Sequence, residues 1–536
     1  MPMSFEFIPG NVLLPLFYAE VRPAPEPYAP SLRMLIIGHM NDGGVNFDVG
    51  VGALETPYLL SRDEARELFG TGSQIAHMYQ RARENFPWAE IWGIAIPQDA
   101  DAIRAEGHLT VMQDASVRRS GLIRMWFGGR PLEMKITSGM TKDDIAAGIK
   151  RRINQNPGDG TPGSDDASTG SNLCIMAAPD DNPTTPLPSR LTIKCKWQGT
   201  TGNEIRMSYI GPHGRADNGD PVVKLTRYFI QFDQLTGGVG ESETAQAFPA
   251  IGDRPFDVFV FPYTSQNLLD KCQTFMDGQA GRWSPFQQLY GHFFTAKIGN
   301  YQALYDLGAQ RNDPHMTILG IMQSVMPSWE WSSSLAAIAC QHWANPPELS
   351  RPLQTLILRN MYVGSDDDDS FIDSERQILL SQGISTFHVN PDTSCAIDRV
   401  RTTRKSNAYG DPDPSWADAI TMFQAMFFTR QLRTAITNAF PRHALANDDR
   451  GVTGVASPSL IKLVIIHEYL RLERLMLVEN SDIFVRALVV ERDEVDRNRV
   501  NCLVRPDLVN QLRVVAAIVE THLELDPTNP LLQIAA

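Results

Sequence analysis

A chain of 536 residues carrying a formal net charge of −14 is too long for one core and implies roughly three or four domains. The acidic balance argues against a general nucleic-acid binder, whose affinity would rest on clustered Lys and Arg, and no apolar stretch approaches the ~20 residues of a transmembrane helix. Six cysteines (Cys174, Cys195, Cys272, Cys340, Cys395 and Cys502) lie scattered without CxxC spacing, which reads as reduced, buried thiols in a cytoplasmic fold rather than a disulfide framework or zinc site.

The chain opens with an apolar run, Phe5, Phe7, Ile8, Val12, Leu13, Leu14, Leu16, Phe17 and Tyr18, punctuated by Pro9, Gly10 and Pro15. Proline in mid-run works against a continuous helix, and the basic start and small-residue cleavage site of a signal peptide are absent. This predicts an extended arm, buried in its own domain or donated as a strand to another molecule, followed by a Pro-rich spacer over 22–30. Residues 32–38 then read as a buried strand. A helix opened by Ser61 and a second one over 73–85 precede a strand at 90–96, an α/β unit. Past Gly107 the texture turns to β: strands over 122–127 and 132–136 around Gly128-Gly129, a helix over 141–154, a low-complexity loop over 155–170, and strands over 190–196 and 204–210. The α/β texture resumes with strands over 255–262, 291–296 and 355–358 and helices over 265–279 and 332–343. The acidic run 366–369 marks a division. Beyond it, Ser415 and Asp418 suggest a capping box for a helix reaching Pro441, and Ser457-Pro458 start another. Two strands, 484–491 and 512–523, precede a short apolar tail after Pro530. The fold class expected is α+β / α/β multidomain.

The search for chemistry identifies no catalytic set. His467-Glu468 lacks the second histidine of a zinc helix, since Arg471 stands in its place. Gly70-Thr71-Gly72-Ser73 lacks the lysine of a phosphate loop and reads as a helix end followed by a cap. The four aspartates 366–369 lack the ligand spacing of a calcium loop. Asp257, Ser284 and His292 could be drawn as a triad, but no G-x-S-x-G elbow is present. Arg282-Trp283 reads as a packed corner in preference to a base-stacking platform. No cofactor and no metal are expected.

Along most of its length the chain resembles the tail sheath proteins of Mu-like contractile bacteriophages. The matching residues include Phe7-Ile8-Pro9-Gly10-Asn11, Leu68-Phe69-Gly70-x-Gly72-Ser73, Lys196-Trp197-x-Gly199 and Gly281-Arg282-Trp283-Ser284-Pro285. Arg311-Asn312-Asp313, Arg351-Pro352-Leu353-Gln354-Thr355-Leu356, Val478-Glu479-Asn480 and Leu508-Val509-Asn510-Gln511-Leu512 continue in the same order. The resemblance implies a non-enzymatic structural subunit that polymerises with itself, six to a ring, around a tail tube protein. The stacked rings would contract to drive the tube through the host envelope. Baseplate and tail terminator proteins are the further partners implied, with no nucleic acid and no membrane insertion. It also implies a place in the virion after assembly in the host cytoplasm. Other contractile-injection sheaths, such as a tail-like bacteriocin, and a baseplate subunit are alternatives; an α/β hydrolase is a rival from another class.

The implied division is an N-terminal arm and spacer (1–30), an α/β domain in two parts (31–106 and 221–365), an inserted β-rich outer domain (107–220), an inner sheath domain (366–525) and a C-terminal arm (526–536). The residues expected to join subunits are Phe5, Phe7, Ile8, Val12, Leu14, Leu16 and Tyr18 at one end and Leu531, Leu532 and Ile534 at the other. Arg505 and Arg513 are expected to face the tube or a neighbour.

Overall fold

A computed structural model describes residues 32–41, 56–61, 64–96, 101–116, 119–154, 172–180, 186–211, 221–241, 244–363, 370–448, 451–519 and 521. In chain order the body begins with β1 (Arg33–Gly38), β2 (Tyr58–Leu59), α1 (Glu64–Phe69), α2 (Gln74–Asn85) and β3 (Glu90–Ala95). An insertion follows: β4 (Arg104–Val111), β5 (Gly121–Phe127), β6 (Arg130–Ile136), α3 (Lys142–Asn154), β7 (Ile175–Pro179), β8 (Arg190–Gln198), β9 (Met207–Ser208), α4 (Pro221–Phe229) and β10 (Ile230–Thr236). The body resumes with α5 (Thr244–Ile251), β11 (Val258–Val260), α6 (Gln266–Met276), β12 (His292–Ile298), α7 (Tyr301–Gln310), β13 (Met316–Ile321) and α8 (Ser328–His342). It closes with β14 (Ile357–Leu358), α9 (Asp373–Ser381), β15 (Ile384–Val389) and β16 (Cys395–Arg399).

These strands form one sheet of nine in the order β14-β16-β15-β13-β12-β11-β1-β3-β2, parallel from β15 to β3 and antiparallel at both edges. Apolar residues fill both faces, as a parallel sheet covered by helices requires. Met34, Ile36, Val258, Val260, Phe294 and Leu319 belong to one core with Trp329, Trp331 and Leu335 of α8. Leu35, Ile37, Phe259, Phe261, Phe293 and Ile318 belong to the other, with Leu268, Leu269 and Cys272 of α6.

The start of α2 follows from its sequence. Ser73 accepts a hydrogen bond from the Ala76 amide at 3.2 Å, and Gly70, at φ +86°, turns the chain out of α1 against Asn41. A Cβ at Gly70 would lie 1.5 Å from the Asn41 Oδ1, so the turn needs glycine for space as well as for conformation.

The insertion carries its own sheets, β10-β4-β8-β7 and β6-β5-β9. Ile103 and Val239 exchange two backbone hydrogen bonds, 2.8 and 3.2 Å, so the chain leaves and re-enters the body through one stem. The insertion thus runs from 103 to 239, wider than the 107–220 read from composition, because β4 starts ahead of 107 and both α4 and β10 follow 220 before the chain returns to the stem. The hairpin around Gly128-Gly129 and the helix ending at Asn154 stand where expected.

The expected division at 366 falls inside the body. Residues 364–369 lie outside the described set, but β15 pairs with β13 in the central sheet. The C-terminal unit is therefore built from α10 (Ala419–Ala439), β17 (Ala444–Leu445), β18 (Val455–Ala456), α11 (Pro458–Arg474), α12 (Ser481–Ala487), β19 (Val489–Arg492) and β20 (Val500–Leu503). Three sequence expectations need correcting here. Helix α10 starts at Ala419 and not near Ser415, because the Asp418 carboxylate is taken by arginines instead of capping backbone amides. Residues 481–487 are helical, so of the expected strand 484–491 only 489–491 is extended, within β19. No regular element lies between 504 and 519, where a strand over 512–523 was expected, since among the described residues no neighbouring strand pairs with it. Five cysteines are buried, but Cys502 on the β19–β20 hairpin is exposed. No helix among the described residues is long and apolar enough to cross a membrane.

Candidate assembly interface

The arm residues Phe5, Phe7, Ile8, Val12, Leu14, Leu16, Tyr18, Leu531, Leu532 and Ile534 lie outside the described residues. Their attachment points do not. The described chain begins at Leu32, immediately before β1, an interior strand of the central sheet. That point borders a cavity of about 640 Å³ lined by Leu32, Arg33, Glu90, Asp257, Phe427 and Arg430, among others. The Arg33 amide donates to Asp257 Oδ2 at 2.9 Å, its guanidinium meets Glu90 at 3.0 Å, and Arg430 closes on Asp257 Oδ1 at 2.5 Å. Arg430 also lies over the Tyr290 ring and donates to the Leu289 carbonyl at 3.1 Å. Arg33, the first residue of β1, is thus fixed by Glu90 of β3 and by Asp257 just ahead of β11, which Arg430 of α10 holds in turn.

At the other end, the β19–β20 hairpin is a sheet of two strands with neither outer edge paired among the described residues. Past it, the chain runs back over the unit. Val478 and Leu508 form a bridge, Glu479 donates to the Asp507 carbonyl at 2.9 Å, and Val509 donates to the Leu477 carbonyl at 3.1 Å. Gln424 holds the Val509 carbonyl at 3.1 Å and Gln354 the Leu512 carbonyl at 3.2 Å. Leu512, Val514, Val515, Ile518 and Val519 are each between 72% and 91% exposed. So many bare apolar side chains in one stretch mark a surface that is covered in use. This exposed stretch without regular structure starts about a dozen residues before 526, where the C-terminal arm was expected to begin.

Arg505 is exposed, with no ion-pair partner among the described residues. Arg513 makes contacts within the chain, donating to Asp418 Oδ1 at 2.9 Å and to Gln511. Asp418 also accepts both arms of the Arg399 guanidinium, at 2.8 and 2.9 Å. Burial alone would raise this carboxyl, yet Arg399 and Arg513 bring it below its ordinary value.

The drawn triad is not assembled. Asp257 is held by Arg33 and Arg430, His292 Nε2 meets Thr317 at 2.8 Å, and the Ser284 hydroxyl accepts from the Gln287 amide. Arg282 is the buried corner expected, 1% exposed, donating to the carbonyls of Tyr290, Arg254, Phe256 and Gly252, with the rings of Phe259 and Phe275 against it. Burial pushes its guanidinium down to about 10.

A second polar centre escaped sequence reasoning: a buried node between insertion and body. Glu330 on α8 receives Arg81 from α2 at 2.5 Å and Arg130, the first residue of β6, at 3.3 Å. Arg130 also donates to His77 Nδ1 at 2.7 Å, so His77 is neutral and its Nε2–H donates to the Asn172 carbonyl at 3.0 Å. Burial first, then Arg130, hold His77 down at about 4. Close by, Glu204 of the insertion accepts from the Ser328 amide at 2.9 Å and hydroxyl at 2.5 Å, occupying the N-terminus of α8. No motif links residues 77, 81, 130, 204 and 330; only the fold brings them together.

Comparison with known proteins matches two family models. Residues 237–403 match the phage tail sheath protein central domain and residues 411–521 the phage tail sheath C-terminal domain, together more than half of the chain. The first match begins where the insertion closes its stem. A Mu-like prophage FluMu tail sheath protein from Haemophilus influenzae is 26% identical over 530 residues, covering 97% of this chain and 99% of that one. Among solved structures, a sheath tail protein from Desulfitobacterium hafniense is 10% identical with a TM-score of 0.44, covering 92% of this chain and 100% of its own. The anti-feeding prophage helical sheath in its contracted state is 9% identical with a TM-score of 0.42, covering 95% and 99%. With two sheath domains in tandem and a sheath relative aligned almost end to end, the chain belongs to the phage tail sheath protein family.

Proposed function

We propose that this chain is the repeating subunit of a contractile sheath. Copies stack as six-membered rings around an inner tube, in an extended lattice that shortens and widens to drive the tube through a host envelope. The observation that carries the reading is the alignment with a Mu-like prophage tail sheath protein over 97% of the chain. The bare apolar stretch from Leu512 to Val519 and the open edges of the β19–β20 hairpin support it, because main-chain pairing of a donated strand covers both at once. On this reading the N-terminal arm, through Phe5 to Tyr18, and the C-terminal arm, through Leu531 to Ile534, add strands to neighbouring subunits. The body sits outside the C-terminal unit, and the insertion outermost. Arg505 faces the tube or a neighbour. The tube protein, the baseplate and a tail terminator are the partners proposed, with assembly in the host cytoplasm and a final place in the virion tail. No reaction is assigned.

Negative-stain microscopy tests the proposal. The purified full chain is expected to polymerise into tubes, and the chain lacking residues 1–20 to remain a soluble monomer. Normal tubes from the truncated chain would reject the role of the arm, and a full chain that stays monomeric at all concentrations would count against the sheath itself.

A further inference from the structure

We propose that Arg513 is a releasable latch that holds the root of the C-terminal arm against the body until a neighbouring subunit takes the arm; this rests on the sheath reading above. The geometry separates two kinds of tether along 507–513. Val509 and Glu479 are held by backbone hydrogen bonds of 3.1 and 2.9 Å, and Val478 and Leu508 form a bridge, so this stretch is part of the unit. Beyond it, the described contacts are made by long side chains: Gln354 to the Leu512 carbonyl, and Arg513 to Asp418. The last of these is arranged to open at low cost. Asp418 already accepts a two-armed contact from Arg399 at 2.8 and 2.9 Å, so losing Arg513 leaves no buried carboxylate unpaired. Arg401 lies close enough to act on the same carboxylate, so three guanidinium groups crowd one negative charge. Arg513 is the most mobile of the three by position, since it lies on a segment without regular structure while Arg399 ends β16 and Arg401 is bridged to Asp418. Latched, the arm pivots at Val514. With Arg513 released and the single Gln354 contact to Leu512 following it, residues 510–513 come free and Val509 is the last one held, adding four residues of reach, up to roughly 13 Å of extended chain.

Spin-label distances test the latch in the full-length chain. Cys502 is the exposed thiol among the six cysteines, so Cys502→Ser gives a background in which Val515→Cys and Tyr409→Cys, both at exposed positions, take the labels. In monomers a narrow distance distribution is expected. Arg513→Gln should raise the displaced fraction roughly two- to fivefold, the range of a half-exposed ion pair. Arg513→Lys should restore part of the narrow peak, and Arg399→Gln, which leaves Asp418 to Arg513 and the nearby Arg401, should keep it narrow. A distribution unchanged in Arg513→Gln, or broadened equally in Arg399→Gln, overturns the latch. In polymers the displaced distance is expected, and persistence of the monomer distance there overturns its release. A chain that forms no polymer counts against the sheath reading, and the monomer distances then decide the latch by themselves.

Discussion

Glu330 sits 0% exposed between Arg81 and Arg130, and the three belong to different parts of the chain: α8, α2 and the start of β6 in the insertion. A buried pair of this kind adds little over an apolar replacement, but removing one partner strands the others. Glu330→Gln should therefore cost about 3–5 kcal/mol, read from the urea midpoint, because two buried guanidinium groups lose their counter-charge. The carboxyl is held well below its ordinary range, so its contribution is present above the unfolded carboxylate range and is lost only as pH falls through the lower folded value. The histidines act sooner. His39, His77 and His315 are held at about 4 and His292 well below 6.5, in each case chiefly by burial. The unfolded chain therefore takes up those protons first. Their contribution is complete above about 6.5 and is lost progressively toward 4. Asp313 works the other way: burial raises it to about 6, so protonation below that value favours the fold and offsets one histidine. Denaturant midpoints should consequently fall from pH 7 to pH 5; an equal or higher midpoint at pH 5 would contradict this balance.

The insertion is joined to the body by more than its two-stranded stem. Trp197 on β8 is fully buried, donates to the Thr201 hydroxyl at 2.9 Å and meets Trp329 of α8 edge-on at 5.9 Å, and one apolar cluster runs through both parts. Trp197→Ala should thus cost about 3–5 kcal/mol and lower a single cooperative transition. Two separate transitions by circular dichroism and Trp fluorescence would show that the two parts fold independently. Much of this level was legible in the sequence. The Gly128-Gly129 hairpin, the Ser73 and Ser457 caps and the strands at 33–38 and 90–95 follow from local turn chemistry and periodicity, which act within a few residues. Strands β13, β15 and β16 and helices α7 and α9 were not anticipated, since a fully buried strand such as Met316–Ile321 carries no alternation to read. The Glu330 node and the Asp418 hub were invisible for a related reason: their members are scattered along the chain and meet only through sheet order. The expected arm residues lie outside the described set, and Val514 to Val519 reads as part of a strand because its apolar run looks buried until, among the described residues, no strand is found to pair with it.

For the whole molecule, a net charge of −14 makes free subunits repel one another. Added salt shortens the range of that repulsion, with a Debye length of about 10 Å at 0.1 M, and should speed polymerisation followed by light scattering. A rate that falls with salt would instead point to attraction between opposite charges as the driving contact. The interior place of β1 in the sheet has a mechanical consequence. Strand β1 lies between β11 and β3 and registers with both, from Met34 against Val258 and from Arg33 against Glu90. A pull applied at Leu32 along the strand axis loads both rows of hydrogen bonds in shear, so they must yield together rather than one after another as in peeling an edge. A thread sewn inside the fabric, not stitched to its hem, bears a load without unravelling the piece it is sewn into.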